Sequence, residues 1–343
     1  MLMRYSFALL IGLVATVGES AAAQEFQIVR VASVPGFAID QLKPNTIIFN
    51  DGRADDTSNG FVRFDDWSRL KPIQKQYLSL YPNYQEITVH RVVDGVTKTY
   101  RDEMQLYIVE ARMKLSRPSS SIDLKRYTTL PFIQTVDPSI THQEIKASET
   151  TALTGDEKFL ANVNPDRKWC EGPGVTICVR SHYKLEGKLP IGIALANKIR
   201  EGDKKIFPFI DFESELRLLT PSDEEAVGLK KLTALDAPIS GVLEQNMFYV
   251  NQVMRFGKFM AVFQQNPNDA NSTIATVMIA VAVSSTTLDS KKKYQDVPVL
   301  KNLVPMQVLM GNSSFNTGSS ISAGLPVYVK NRIKALASIL DHE

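Results

Sequence analysis

The sequence predicts an α+β fold: a curved antiparallel sheet closed by a C-terminal amphipathic helix, with an additional N-terminal region. Three observations predict it. Ile177, Val179, Ser181, Tyr183 and Leu185 alternate with Cys178, Arg180, His182, Lys184 and Glu186. That period of two marks a half-buried strand. Asp211 to Leu218 repeats the pattern, and 241–252, 255–264 and Ile274 to Ser284 follow with short connections, one of them the Pro267-Asn268-Asp269 turn. The chain then ends differently. Leu325, Val329, Ile333, Leu336 and Leu340 recur at i, i+4, i+8, i+11 and i+15, one apolar stripe of a helix.

The remaining elements follow in chain order. Arg4, the apolar run Phe7 to Val17 and the small residues Ala21-Ala22-Ala23 read as a secretory signal over 1–23, cleaved before Gln24. The apolar run is too short to span a bilayer core of roughly 30 Å as a helix. Residues 24–120 form an N-terminal extension or small subdomain; they read as extended and irregular up to residue 66, with a short helix expected over Ser68 to Leu80. Glu86 to Val93 is a strand candidate that turns at Asp94-Gly95. Glu103 to Leu115 fits either a strand or a helix. Residues 121–343 make the main sheet-plus-helix domain, after a loop-rich boundary that begins Arg117-Pro118-Ser119. Leu325-Pro326 opens the terminal helix, with proline near its first turn.

Composition narrows the function classes. Lys+Arg 39 against Asp+Glu 37 gives a net charge of +2, so no charge bias points to nucleic acid. Two cysteines and four histidines are too few for an iron–sulfur cluster or a Cys-rich zinc module. His90, His142, His182 and His342 show no H-x-x-x-H spacing, and Asp51, Asp55 and Asp56 miss the EF-hand spacing, so no metal is expected. No G-x-G-x-x-G or G-x-x-x-x-G-K-[ST] occurs, and no cofactor is called for. S-x-x-K occurs at Ser68, Ser181 and Ser290 without the companion motifs of a penicillin-binding site. Ser181 and Lys184 also fall on opposite faces of their strand.

An exported chain is expected in the periplasm or outside the cell, an oxidising space. Cys170 and Cys178 then read as a disulfide across the Gly172-Pro173-Gly174 turn. Closing that loop contributes about 2.6 kcal/mol in the chain-entropy model.

The Gly324-Leu325-Pro326 to Leu340 segment, following a run of strands, resembles the end of a START-like helix-grip domain (the SRPBCC superfamily). The resemblance covers residues 145–343. It implies a sheet wrapped around a long C-terminal helix, often with an apolar cavity between them. It brings no functional residues with it.

Charges embedded in apolar strands stand out. Glu244 lies between Leu243 and Met247-Phe248-Tyr249-Val250, and Arg255 lies within Val253-Met254-Arg255-Phe256. Such groups either pair with each other or face solvent, or they orient the polar head of a ligand while Phe259 and Met260 line the rest of a cavity. The leading expectation is an exported soluble protein that binds an apolar or amphipathic, lipid-like small molecule in a sheet–helix cavity. Glu244, Arg255, Phe259 and Met260 are the candidate ligand-binding residues. The alternatives are a non-catalytic structural or interaction protein of the cell envelope, and a hydrolase or cyclase on the same scaffold using Glu244, Arg255 or His182. No transmembrane segment is expected in the mature chain. Lys291-Lys292-Lys293 offers a peripheral contact with the envelope.

Overall fold

A computed structural model of the chain describes residues 26–31, 39–51, 86–93, 96–136, 140–149, 169–184, 198, 209–249, 254–284 and 321–342. The signal segment, the helix expected over Ser68 to Leu80 and the Lys291–Lys293 run lie outside the described residues.

Ten strands are described: β1 Gln27–Arg30, β2 Thr46–Asn50, β3 Glu86–Val93, β4 Val96–Leu115, β5 Ile140–Glu144, β6 Val175–Lys184, β7 Phe209–Leu219, β8 Ile239–Tyr249, β9 Met254–Gln265 and β10 Thr273–Ser284. Three α-helices accompany them: α1 Leu130–Val136, α2 Glu224–Thr233 and α3 Ile321–His342. Nine strands form one curved sheet in the order β1-β2-β4-β10-β9-β8-β7-β6-β5. The predicted sheet and terminal helix are both present. β4 resolves the ambiguous segment as a strand. Its 20 residues serve three ladders, with Val96 to Glu103 pairing β3 and Met104 to Leu115 pairing β10 on one side and, over Glu110 to Met113, β2 on the other.

The sheet departs from the expectation at one edge. β1 and β2 run parallel, Gln27 opposite Thr46 and Arg30 opposite Phe49, so the sheet is mixed. Parallel neighbours need a long connection, and the segment 31–45 between them supplies it. β2 then pairs β4 antiparallel, from Ile47 opposite Met113 to Asn50 opposite Glu110. Residues 24–120 thus contribute β1, β2 and β4 to the same sheet as the second half of the chain.

The stretch after β4 holds more order than a loop. Short 3₁₀ turns at Ser119–Ser121 and Leu124–Thr128 lead into α1. In the second turn the Asp123 carboxylate accepts the Lys125 N–H at 3.2 Å, and Leu124 and Tyr127 are buried against the sheet. The β9–β10 turn is held by side chains. Gln265 Nε2 donates to the carbonyls of Asp269, Ala270 and Ser272, and Asn266 Nδ2 donates to Ser272 Oγ at 2.8 Å. The Asn271 N–H, with Lys114 beside it, holds the Asp269 carboxyl below its usual range.

Register decides which residues share a face. Leu243 lies opposite Ala261, Ala261 opposite Val277, and Val277 opposite Ala111. These residues belong to the main core with Val109, Met113, Phe263 and Ile279, and α3 packs on them through Val329, Ile333, Ala337 and Leu340, all fully buried. The predicted stripe holds at Val329, Ile333 and Leu340. Ala337 takes a central place, while Leu336 is half-buried at the flank. Pro326 is the sixth residue of α3 rather than near its first turn, because the helix starts at Ile321. Alanines at 111, 261, 275 and 337 belong to this core, and β4 is the strand that α3 approaches most closely. At the far end of α3 the Asp341 carboxylate accepts the Ser116 N–H at 2.5 Å.

The disulfide is present, with Cys170 and Cys178 Cα atoms 5.8 Å apart. Gly174 sits in the turn at φ +75°, and a Cβ there would lie 2.9 Å from the Leu218 carbonyl oxygen. Only glycine fits both constraints.

Two outcomes test this arrangement. Ile333→Ala should cost about 2–5 kcal/mol in urea unfolding, as for a buried aliphatic, and Leu336→Ala clearly less. Replacing Cys170 and Cys178 together with serine should cost about 2–3 kcal/mol while far-ultraviolet circular dichroism stays unchanged.

Candidate functional site

Phe259 and Met260 are adjacent on β9, so they point to opposite faces. Phe259 lies opposite Gln245 and Ile279 and belongs to the α3 face. Met260 lies opposite Glu244 and Met278 on the other face. Four residues read as one ligand site therefore divide. Phe259 faces the helix. Glu244 and Met260 face away from it, and both are buried. Arg255 lies in β9, and its side chain is outside the described residues.

The face turned away from α3 is unusually charged for a buried surface. Glu213, Glu215 and Glu244 expose 0%, 0% and 2% of their area. Each has a defined partner. Arg217 Nη1 and Lys258 Nζ both approach the Glu244 carboxylate at 2.5 Å, one on each oxygen. Arg180 pairs with Glu213 at 3.0 Å. Glu215 accepts from Asn246 Nδ2 at 2.8 Å and from the Cys170 N–H at 2.9 Å. Arg217 also donates to the Pro173 carbonyl. The network therefore joins the disulfide loop to three strands. Further along the same face, Arg112 Nη2 donates to the Thr233 carbonyl at the end of α2. Glu244 pairs with Arg217 and Lys258, the strand neighbours that register places beside it. Flanked by two cations, the buried Glu244 carboxylate ties β8 to β7 and β9 on the face turned away from α3, not on the helix side where a ligand's head was expected.

The α3 face is apolar over most of its width, with Phe259 and Phe263 on β9, Leu216 and Leu218 on β7, and Ile177 and Val179 on β6. A few polar residues interrupt it on β8, β7 and β6. Gln245 Nε2 donates to Ser214 Oγ at 3.1 Å, and His142 Nδ1 lies 2.9 Å from Ser181 Oγ across the β5–β6 ladder. α3 meets this polar region with Arg332. Its Nη2 donates to Gln245 Oε1 at 2.7 Å, and its guanidinium carbon stands 6.0 Å from the centre of the Phe259 ring. Gln245 and Arg332 are half-buried, while Ser214 and Phe259 are buried. Gly257 opposite Met247 completes the local packing, since a Cβ there would meet the Met247 methyl at 2.7 Å. On the other flank of α3, Lys330 Nζ lies 5.5 Å from the Phe49 ring centre, and Tyr107 donates its hydroxyl to the buried Asp51 carboxylate at 3.1 Å.

Phe259, Gln245, Ser214 and Arg332 make an aromatic wall with a polar end, the arrangement that seats an amphipathic molecule. Sequence reasoning found Phe259 and missed the other three. Arg332 lies outside the apolar stripe of its helix, and its partner is 87 residues away. The Ser181–His142 contact arises from cross-strand register. His182 instead pairs with Asp211 at 2.6 Å on the exposed side.

Among the described residues no group of three or more His, Cys, Asp and Glu is placed to hold a metal ion. No helix of the described residues is long and apolar enough to cross a membrane. No protein-family model matches the chain, and no curated protein sequence matches it. Among solved structures, a norcoclaurine synthase of Thalictrum flavum overlaps 68% of this chain and 96% of its own, at 8% identity and a TM-score of 0.30. A second structure of that enzyme, with dopamine and hydroxybenzaldehyde, overlaps 70% and 90%, at 10% identity and 0.30. A Streptomyces aromatase/cyclase overlaps 68% and 92%, at 11% identity and 0.32. Both enzymes are helix-grip proteins. Scores this low bear neither on the function of this chain nor on its fold, which rests on the strand order and the helix described above.

Glu244→Ala should cost about 3–5 kcal/mol, since it leaves two buried cations unpaired. Replacing Arg217, Glu244 and Lys258 together with apolar residues of similar volume should cost much less. Chemical unfolding of the two variants and the unaltered protein checks both.

Proposed function

We propose that this protein binds an apolar or amphipathic small molecule between α3 and the β7–β9 part of the sheet. One observation carries the reading. Half-buried Arg332 and Gln245, with buried Ser214, sit inside an interface that is otherwise aliphatic and aromatic. Polar groups in such a place cost free energy unless they are paired, and a purely structural interface is served by more aliphatic side chains. Phe259 and Met247 supply apolar contact beside the polar end. The disulfide supports a working place outside the reducing cytosol, and we place the protein in the periplasm or among secreted proteins, with a lipid-like molecule as partner.

A second reading has its own observation. The contact of α3 with the sheet is lined by fully buried apolar side chains, Val329, Ile333, Ala337 and Leu340 among them, as expected of a structural or interaction protein of the envelope whose core is filled by its own side chains.

A thermal-shift screen with fatty acids, phospholipids and isoprenoids separates the two. A ligand at a hundred times its dissociation constant adds about 2.7 kcal/mol, which appears as a rise of a few degrees. Phe259→Ala should remove the ligand-induced rise. Lys230→Ala, at an exposed ion pair with Asp236, should leave it. If no apolar compound moves the midpoint, the structural reading leads.

A further inference from the structure

We infer that the ligand carries a second oxygen, a hydroxyl or a ketone, several carbons along its apolar body from the polar head. This inference rests on the binding reading above and adds the chemical class: a lipid-like molecule oxygenated within its chain. Two polar stations on the α3 face carry it. At the first, Gln245 Nε2 donates to Ser214 Oγ at 3.1 Å. At the second, His142 Nδ1 lies 2.9 Å from Ser181 Oγ. Register relates the two. Ser181 lies opposite Phe212 on β7, and Ser214 stands two residues further along that strand, opposite Val179. The serines are therefore diagonal neighbours on one face, about 7–8 Å apart.

The surface between and around them is apolar. Val179, Leu216 and Met247 are buried, and Phe212 is half-buried against the main core. Ile177 and Val179 fill the preceding inward positions of β6, and Ser181 breaks that aliphatic run. Both serines expose 2% of their area. A hydroxyl offers one donor and two acceptor positions. Ser214 Oγ uses one acceptor position for the Gln245 amide, and among the described residues nothing accepts its hydrogen. A buried hydroxyl without an acceptor is costly in an apolar place, and a ligand oxygen at the first station would accept it. Ser181 shares one position with His142 and keeps others for an oxygen at the second station. The chain between the two oxygens would lie over Val179 and Phe212, the residues opposite the two serines.

Three sixteen-carbon probes test this on the full chain: hexadecan-1-ol, hexadecane-1,2-diol and hexadecane-1,7-diol, each titrated with binding read by native mass spectrometry and thermal shift. The 1,7-diol should bind about two- to tenfold tighter than the alcohol, the range expected of one further hydrogen bond. The 1,2-diol has the same number of hydroxyls with both at one end, and should bind more weakly than the 1,7-diol. Without a second station the hydroxyl within the chain would be buried unpaired, and the 1,7-diol would bind more weakly than the alcohol. Ser181→Ala should remove the advantage of the 1,7-diol and leave the alcohol where it was. The ranking of the probes on the unaltered protein decides by itself if that variant fails to fold. A 1,7-diol that binds no tighter than the alcohol or the 1,2-diol overturns the inference while the binding reading stands. Equal weakening of alcohol and 1,7-diol by Ser181→Ala shows a packing role for the serine and overturns it too. If none of the three binds but a fatty acid, phospholipid or isoprenoid does, the inference alone falls. If nothing in either set binds, both fall.

Discussion

Adjacent residues of a strand cannot share a face, and in this sheet that rule keeps an apolar surface apart from a charged one. On β9, Phe259, Ala261 and Phe263 meet the α3 side, whereas Lys258, Met260, Val262 and Gln264 meet the other. β10 and β4 keep the same phase over twelve paired positions, from Thr273 opposite Leu115 to Ser284 opposite Met104. A slip of one residue would carry Glu110 and Arg112 under the helix and turn Val109 and Ala111 to the charged face. Both faces are buried, so the register has no tolerance on either side. The length of β4 matters for the same reason, because it spans the pairing with β3, β2 and β10.

The charged face explains how the chain keeps three carboxylates out of water. Burial of an unpaired charge is very costly, and each of these sits beside a cation or strong donors set by cross-strand register. Arg217 lies opposite Glu244, and Lys258 reaches it diagonally from beside Asn246. The disulfide loop joins the same network through the Cys170 N–H and the Pro173 carbonyl. Its covalent closure and its polar contacts thus hold the same segment against β7. Neither contact depends on what happens at the α3 face.

Much of the fold was legible because its signals are local. Alternation marked β6 and β7, the Gly172-Pro173-Gly174 turn marked the disulfide, and the stripe from Val329 to Leu340 marked the terminal helix. Features that depend on distant partners were not. The parallel β1–β2 edge has no local signature. α2 is ten residues with a weak apolar periodicity, EEAVGLKKLT, and is buried through Ala226 and Leu229 only once the sheet is there. The candidate site divided along the same line. Glu244 and Arg255 drew notice as charges among apolar neighbours, yet the faces of separate strands become comparable only through register, and register placed Glu244 beside Arg217. Gln245 and Arg332 look like ordinary polar residues until the helix is laid on the sheet.

How α3 lies on the sheet decides where a small molecule could enter. Its C-terminal half is anchored: Ala337 and Leu340 are fully buried, and Asp341 takes the Ser116 N–H. Among the described strands β4 is the one that α3 approaches most closely, and fully buried side chains fill that contact. Midway along the helix, Lys330 leans over Phe49 on one flank and Arg332 over Phe259 on the other. Long side chains lie along apolar surface while keeping a charged tip near water, so they can shift for a guest without breaking the core. A guest that displaced only these side chains would leave the packing of Val329, Ile333, Ala337 and Leu340 intact, and with it the register of helix on sheet.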